Sequence, residues 1–422
     1  MDQGYVMHRT AANRLIVGML AAMPPTPAAA EPRPGPSDRA GGDACPGALR
    51  LHTADDGALA RVRLPGGVLT DRQALVLAEL AERLGDGALE LTSRGNVQLR
   101  GLPADSGPEL GAALRAAGLL PSETHERVRN IVASPLSGLD GAGYADVRGW
   151  VRELDRLLCA SPLAAGLAGL FLFALDDGRG DVAALDADVT LIATPGGGGL
   201  LRLGRAVTAR WVAPGDEASA ALGAAEEFLA ALGGTKAWFV RDAPELLDPG
   251  AEPLPALTCA PPEPGPFVGG LVVGTRFGRL TAGQLRQLAG AAPELRITPW
   301  RSVVLPGAGV LELPGLRTAP GSPWERATAC TGAPGCAKSL ADVRADAAGA
   351  LEDGVPGLPV HWSGCERRCG RPAGQWVDVL ATGQGYRVTV HHADGRRGDG
   401  QTSQDLTTEQ MAEAVAEARR TT

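Results

Sequence analysis

The sequence predicts a mixed α+β and α/β fold: two small half-domains related by an internal pseudo-twofold repeat, and two larger α/β units. Three observations predict it. A capped helix followed by two strands occurs twice, far apart in the chain. Hydrophobic residues make up 44% of 422 positions, ample for several cores at roughly 150 residues per domain. The two longer stretches alternate strand-like and helix-like runs, the pattern of α/β units.

In chain order, residues 1–44 read as a disordered N-terminal segment. Arg9 and Arg14 precede an apolar stretch at 15–22, a loose likeness to an export signal. That stretch is short, and Pro24-Pro25 ends it; Met19 and Met23 are alternative starts. The Pro-, Ala- and Gly-rich run that follows favours disorder over a packed core.

The first half-domain, 45–121, contains Gly67-Val68-Leu69-Thr70, a helix-like stretch at 71–84, and a strand, a polar turn and a strand over 89–99. The second, 263–322, repeats it with Gly278-Arg279-Leu280-Thr281, a helix-like stretch at 282–291, and strands over 295–305. Thr70 and Thr281 are N-caps, and Gln73 and Gln284 complete capping boxes. A five-residue deletion between helix and strand distinguishes the copies. Between them, 122–262 reads as an α/β unit with strands at 171–175 and 189–194 and helices at 141–160 and 218–232. Asp176-Asp177-Gly178 reads as a hairpin turn, and 261–266 as a Pro-rich linker. Residues 323–422 form the second α/β unit. Such a duplication places a ligand between the halves.

Lys+Arg is 40 against 48 Asp+Glu, a formal net charge of −8. That balance argues against general nucleic-acid binding, which needs a basic surface. Aromatic residues, at 4%, are too few for a base-stacking platform. No apolar run reaches the roughly 18 residues of a membrane-spanning helix. Only Lys236 and Lys338 are lysines; the other 38 cationic residues are arginines. That bias fits a GC-rich genome, or guanidinium forks that clamp carboxylates in pairs of hydrogen bonds.

Four of the seven cysteines cluster. Cys330 and Cys336 form C-x5-C, and Cys365 and Cys369 form C-x3-C, with glycines beside both pairs. Four thiolates suit a [4Fe–4S] cluster or an all-cysteine zinc site. Structural zinc favours tighter pairs, so the spacing leans toward iron and sulfur; unrelated thiols stay open. Cys159 and Cys259 read as small buried residues, and Cys45 as a free thiol. An odd cysteine count without scaffold spacing points to a reduced cytoplasm.

This spacing, with the duplicated half-domains, resembles the nitrite/sulfite reductase superfamily over roughly residues 45–415. Arg94-Gly95-Asn96-Val97-Gln98 is similar to that family's R-x-N-x-Q motif, and Arg129-Asn130-Ile131 to its R-N-I/V motif. Cys45-Pro46-Gly47, Arg61-Val62-Arg63-Leu64-Pro65-Gly66-Gly67, Thr298-Pro299-Trp300-Arg301 and Val360-His361-Trp362-Ser363-Gly364-Cys365 resemble the precorrin-3B synthase family within it. The reductases carry a K-F-K strand whose lysines bind the anionic substrate; here Leu170 and Leu172 stand at those positions. Glu366-Arg367-Arg368 departs from the synthases, where a small residue, Lys and Gly separate the last two cysteines.

The resemblance implies ferredoxin-like half-domains and a [4Fe–4S] cluster on Cys330, Cys336, Cys365 and Cys369. It implies that Arg94, Asn96, Gln98, Arg129, Asn130 and Arg301 grip a tetrapyrrole. The implied reaction is O2-dependent hydroxylation of precorrin-3A at C-20 with γ-lactone formation. A mononuclear non-haem iron would bind oxygen, and NADH-derived electrons would arrive through an external donor protein. The alternative is a sirohaem-dependent nitrite or sulfite reductase. A cytoplasmic monomer, without nucleic-acid or membrane partners, is the expectation.

Six histidines offer no clean spacing for two histidines and a carboxylate. His391-His392 reads as a polar strand end, because neighbours on a strand point to opposite faces. His361, four residues before Cys365, is placed to meet the cluster or its sulfur. Trp300 reads as a packing residue. Each arginine and amide above also has a structural reading, as the partner of an acidic neighbour.

Overall fold

The computed structural model describes residues 46–235, 237–256, 261–352, 357–372, 374–392 and 405–420. The N-terminal segment, Cys45, Cys259 and Lys236 lie outside them.

The first repeat comprises β1 (His52–Ala54), β2 (Gly57–Val62), β3 (Val68–Thr70), α1 (Asp71–Leu84), β4 (Ala88–Leu91), β5 (Val97–Leu102) and α2 (Gly107–Ala116). The α/β unit after it holds β6 (Ile131–Ala133), α3 (Arg148–Ala160), β7 (Phe173–Asp176), β8 (Val189–Ala193), β9 (Gly199–Leu203), β10 (Thr208–Val212), α4 (Glu217–Ala231) and β11 (Glu252–Pro253). The second repeat holds β12 (Gly265–Phe267), β13 (Gly270–Gly274), β14 (Arg279–Thr281), α5 (Ala282–Ala291), β15 (Glu294–Ile297) and β16 (Ser302–Pro306). The last unit holds β17 (Ala327–Ala329), α6 (Val343–Glu352), β18 (Val360–Ser363), β19 (Trp376–Ala381), β20 (Tyr386–His391) and α7 (Thr408–Arg420).

Both capping boxes form. Thr70 accepts from Gln73 N and Thr281 from Gln284 N, while each glutamine side chain accepts from the cap's own N–H. Four residues of the deletion fall in the helix: α1 has 14 residues and α5 has 10.

The repeats share strands. One sheet runs β1-β2-β5-β4-β14, and its counterpart β12-β13-β16-β15-β3. Each copy therefore lends the strand before its helix to the other copy's sheet. Thr70 pairs Glu294 across β3–β15, and Thr281 pairs Ala88 across β4–β14. Leu69 and Leu280 enter one core with Leu77, Leu285, Leu295 and Val303. Gly67 turns into this crossing at φ 72°, where a Cβ would collide with the Ile297 carbonyl.

The α/β units are also duplicated. β6, β7 and β8 run parallel and β9 returns antiparallel; β17, β18, β19 and β20 do the same. In each unit a helix bridges the first two strands.

Three local expectations need correction. Asp176-Asp177-Gly178 is not a hairpin turn, because β7 and β8 are parallel. Asp176 instead accepts backbone N–H groups from Gly178, Gly180 and Ala183. Helix α3 begins at Arg148, not 141: Gly141 has φ 72°, and the Asp140 and Asp146 carboxylates fold back onto Ala142 N and Arg148 N. The Pro-rich linker runs into a strand, since Gly265–Phe267 pairs with β13.

Candidate functional site

Parallel strands gather their loops at one end of the sheet, and α/β proteins place sites there. Cys330 is the first residue after β17, and Cys365 and Cys369 follow β18. Cys330 N donates to Trp362 O at 2.9 Å, and Gly364 N donates to Cys330 Sγ at 3.2 Å. Gly364 admits no side chain, because a Cβ would strike Ser339. Ser339 N in turn donates to Cys336 O. The four thiols lie within one another's fields: burial first, then Cys330, Cys365 and Cys336, push the Cys369 thiol up, against the pull of Arg367. All four are free, Cys369 is exposed, and the rest are half-buried. Among the described residues no three His, Cys, Asp or Glu side chains converge tightly enough to hold a single metal ion.

The first half-domain seats the first cysteine loop. Arg100 forks onto Asp56 at 2.8 and 2.9 Å and reaches the Gly335 carbonyl. Asp55 accepts from Ala337 N. Arg344 pairs with Glu90 at 2.7 Å and donates to Cys330 O at 3.1 Å. Sequence reading missed Asp56, Glu90, Arg100 and Arg344, because their partners are distant in the chain. A groove of about 620 Å³ opens beside this loop, lined by Arg100, Arg276, Phe277, Trp324 and Arg344.

The second loop answers the question raised by Glu366-Arg367-Arg368. Arg368 adopts φ 48°, the left-handed conformation that a glycine takes without strain. Its Nε donates to Asp378 Oδ2 at 2.7 Å, with Asp378 only 2% exposed. His391 Nε2 lies 3.3 Å from the same oxygen and stacks on Trp376.

The sequence-predicted tetrapyrrole residues divide. Asn96 and Asn130 meet: Asn96 Nδ2 donates to Asn130 Oδ1 at 3.2 Å, and Asn96 Oδ1 accepts from Leu64 N. Asn130 also donates to the Arg127 and Gly169 carbonyls. Gln98 bridges Glu90 and Arg61. Arg129 forks onto Asp155 at 2.6 and 2.7 Å and holds the Leu119 carbonyl. Arg94 Nη1 donates to the Leu170 carbonyl at 2.8 Å. Leu172 is buried with Val132, Ala174, Val182 and Ala187, beside Trp300.

Arg301 differs from the others. It sits in the β15–β16 turn at φ 60°, and Gly95 holds the same place in the β4–β5 turn at φ 65°. Thr298 and Thr92 organise the two turns with the same hydrogen bonds. Burial lowers the pKa of the Arg301 guanidinium while Glu90 and Arg344 act on it in opposite directions. Its side chain makes no hydrogen bond or ion pair among the described residues, and its backbone carbonyl accepts from Thr275.

Residues 52–117 match the family model described as the nitrite/sulfite reductase ferredoxin-like half domain. The chain is 20% identical to the NirA protein of Mycobacterium tuberculosis, with a TM-score of 0.61 over 84% of this chain and 79% of that one. It is 29% identical to a ferredoxin–nitrite reductase of Synechococcus elongatus, over 80% of this chain and 78% of the relative. It is 30% identical to a precorrin-3B synthase of Sinorhizobium sp. over 83% of each chain. With that identity over 83% of each chain, the chain belongs to the precorrin-3B synthase family, on a nitrite/sulfite reductase-like fold.

Proposed function

We propose that this chain is a precorrin-3B synthase: it hydroxylates precorrin-3A at C-20 with O2, and a γ-lactone closes on the ring A acetate, in cobalamin biosynthesis. The observation that carries the reading is an intact set of four thiols in a chain that has leucines at 170 and 172. The donor set fits a [4Fe–4S] cluster on Cys330, Cys336, Cys365 and Cys369. Four thiols share one field, and a backbone amide already donates to one sulfur. When bound, such a cluster supplies one-electron transfer from an external donor protein, with NADH as the ultimate source.

The chain's own groups bind and orient the macrocycle. Arg301 and Arg94 are the proposed carboxylate clamps. Arg301 holds a guanidinium in a conformation that costs strain, and such strain concentrates at functional sites. Arg94 stands next to Gly95 in the matching turn of the first repeat, with its Nη1 held by the Leu170 carbonyl at 2.8 Å. Asn96, Gln98, Asn130 and Arg129 set the frame, their polar atoms already bonded to backbone and acidic partners. A mononuclear iron finds no convergent ligand set among the described residues. A cytoplasmic monomer served by a separate reductase completes the reading.

The second reading, a sirohaem-dependent nitrite reductase, is favoured by the Synechococcus relative. Leu170 and Leu172 count against it. A lysine at 172 would sit in an apolar cluster, and a chain lacking both cations is poorly equipped to hold nitrite.

The test is turnover with isotopically labelled O2, precorrin-3A and a chemical or protein reductant. One labelled oxygen in the product is expected; the other leaves as water with two electrons and two protons. Nitrite consumption without oxygen incorporation would overturn the proposal.

A further inference from the structure

We infer that His361 is a positioning residue for the cluster, presenting its Nε2–H to the Cys369 side of the four thiols. The inference rests on the cluster reading above and deepens it.

His361 lies on β18 and is 1% exposed. Its Nδ1 stands 2.8 Å from Thr328 Oγ1. That hydroxyl can give its proton to Nδ1, which leaves the N–H of a neutral ring on Nε2. Nε2 is fully buried and makes no hydrogen bond of good geometry, while the Cys369 backbone is close enough to act on the ring. A buried N–H without an acceptor is costly, so its presence calls for one. The ring passes beside the Cys369–Gly370 backbone, where a Cβ on Gly370 would stand 3.8 Å from Cε1. An edge-on Trp376 fixes its plane.

Two internal comparisons point the same way. Ser363 lies two residues on, on the same face of β18, and its Oγ is buried without a partner. The polar atoms left open on this strand therefore share one face. In the duplicated α/β unit without thiols, β6–β7 pairs Ile131 with Phe173 as β17–β18 pairs Ala327 with Val360. Ala174 and Val132 then occupy the places of His361 and Thr328. The imidazole and its hydroxyl partner occur only in the copy that carries cysteines. An N–H aimed at sulfur stabilises the reduced, more negative state, which raises the reduction potential.

The experiment compares the full chain with His361→Leu and His361→Gln after anaerobic purification. Iron and acid-labile sulfide are assayed, and the cluster is titrated by EPR against ambient potential. At a fixed potential the reduced-to-oxidised ratio should fall about tenfold in His361→Leu, the worth of one hydrogen bond to a charged group. Glutamine, which keeps an N–H, should recover most of it. A His361→Leu protein with full iron and sulfide and an unchanged ratio overturns the inference. Should leucine prevent loading, pulsed EPR of the unaltered reduced protein decides. Coupling to isotopically labelled histidine nitrogen and to an exchangeable proton is expected, and absence of both overturns the inference. An unaltered protein without iron and sulfide overturns the cluster reading itself.

Discussion

The two α/β units share strand order and sense but not chemistry. After the first strand of one stands Cys330; after the first strand of the other stands Ser134. After the second strand come Cys365 and Cys369 in one, and Asp177, Arg179 and Asp181 in the other. The cysteine-free end closes on itself. Ser134 donates to Asp181 at 2.6 Å and accepts from Asp177 N, and Arg179 pairs with Asp177 and Asp140. The cysteine end leaves Nε2 of His361 without a hydrogen bond of good geometry and Oγ of Ser363 without a partner. One scaffold thus carries a self-satisfied polar knot in one copy and an open, sulfur-lined set of donors in the other. Function lives in the loops, and the sheets are common to both.

The largest effect expected from breaking this contrast is at the thiols. Cys365→Ser should abolish most bound iron and sulfide, and turnover with them. Ser134→Ala, at the matching end, should leave metal content alone and lower stability by about 1–3 kcal/mol, read by chemical denaturation. Next comes the turn pair. Arg301→Gly copies the first turn into the second. It should weaken tetrapyrrole binding by about 10- to 100-fold while stability stays within about 1 kcal/mol, because relieved strain offsets glycine's unfolded-state entropy. Equal binding in titration would remove Arg301 from the site.

A pH experiment sharpens the knot's role. Burial first, then Asp176 nearby, pushes the Asp181 carboxyl up to about 7, and burial pushes Asp188 up to about 6. Raised folded pKa values mean that the fold holds protons the unfolded chain has released. Stability from these groups is complete below about pH 4 and is lost as pH rises through 6 and 7. Asp181→Asn should flatten thermal denaturation midpoints across pH 4–7; an unchanged slope would contradict the assignment. The smallest effect belongs to the exposed Arg286–Glu82 pair between the repeats. Arg286→Gln should leave the melting temperature unchanged, because strand exchange and the shared core hold the copies together.

The sequence carried the local signals and hid the distant ones. Capping boxes at Thr70 and Thr281 span four residues each, so the helices they start were legible. The exchange of β3 and β14 was not, since a strand's own residues do not name its neighbour. Alternation also fails to separate parallel from antiparallel neighbours, which is why Asp176-Asp177-Gly178 was misread. Duplication of the α/β units was invisible because their shared feature is strand order; Cys330 and Ser134 have only position in common. The four cysteines stood out by spacing. The carboxylate that engages Arg129 came from Asp155, on a helix whose start had been misplaced.

The most direct test of the central claim is an absorption spectrum of anaerobically purified protein, with iron and acid-labile sulfide assays. The account predicts about four of each per chain, a broad brown shoulder and no Soret band. A strong Soret band from tightly bound sirohaem, or zinc in place of iron, would contradict it.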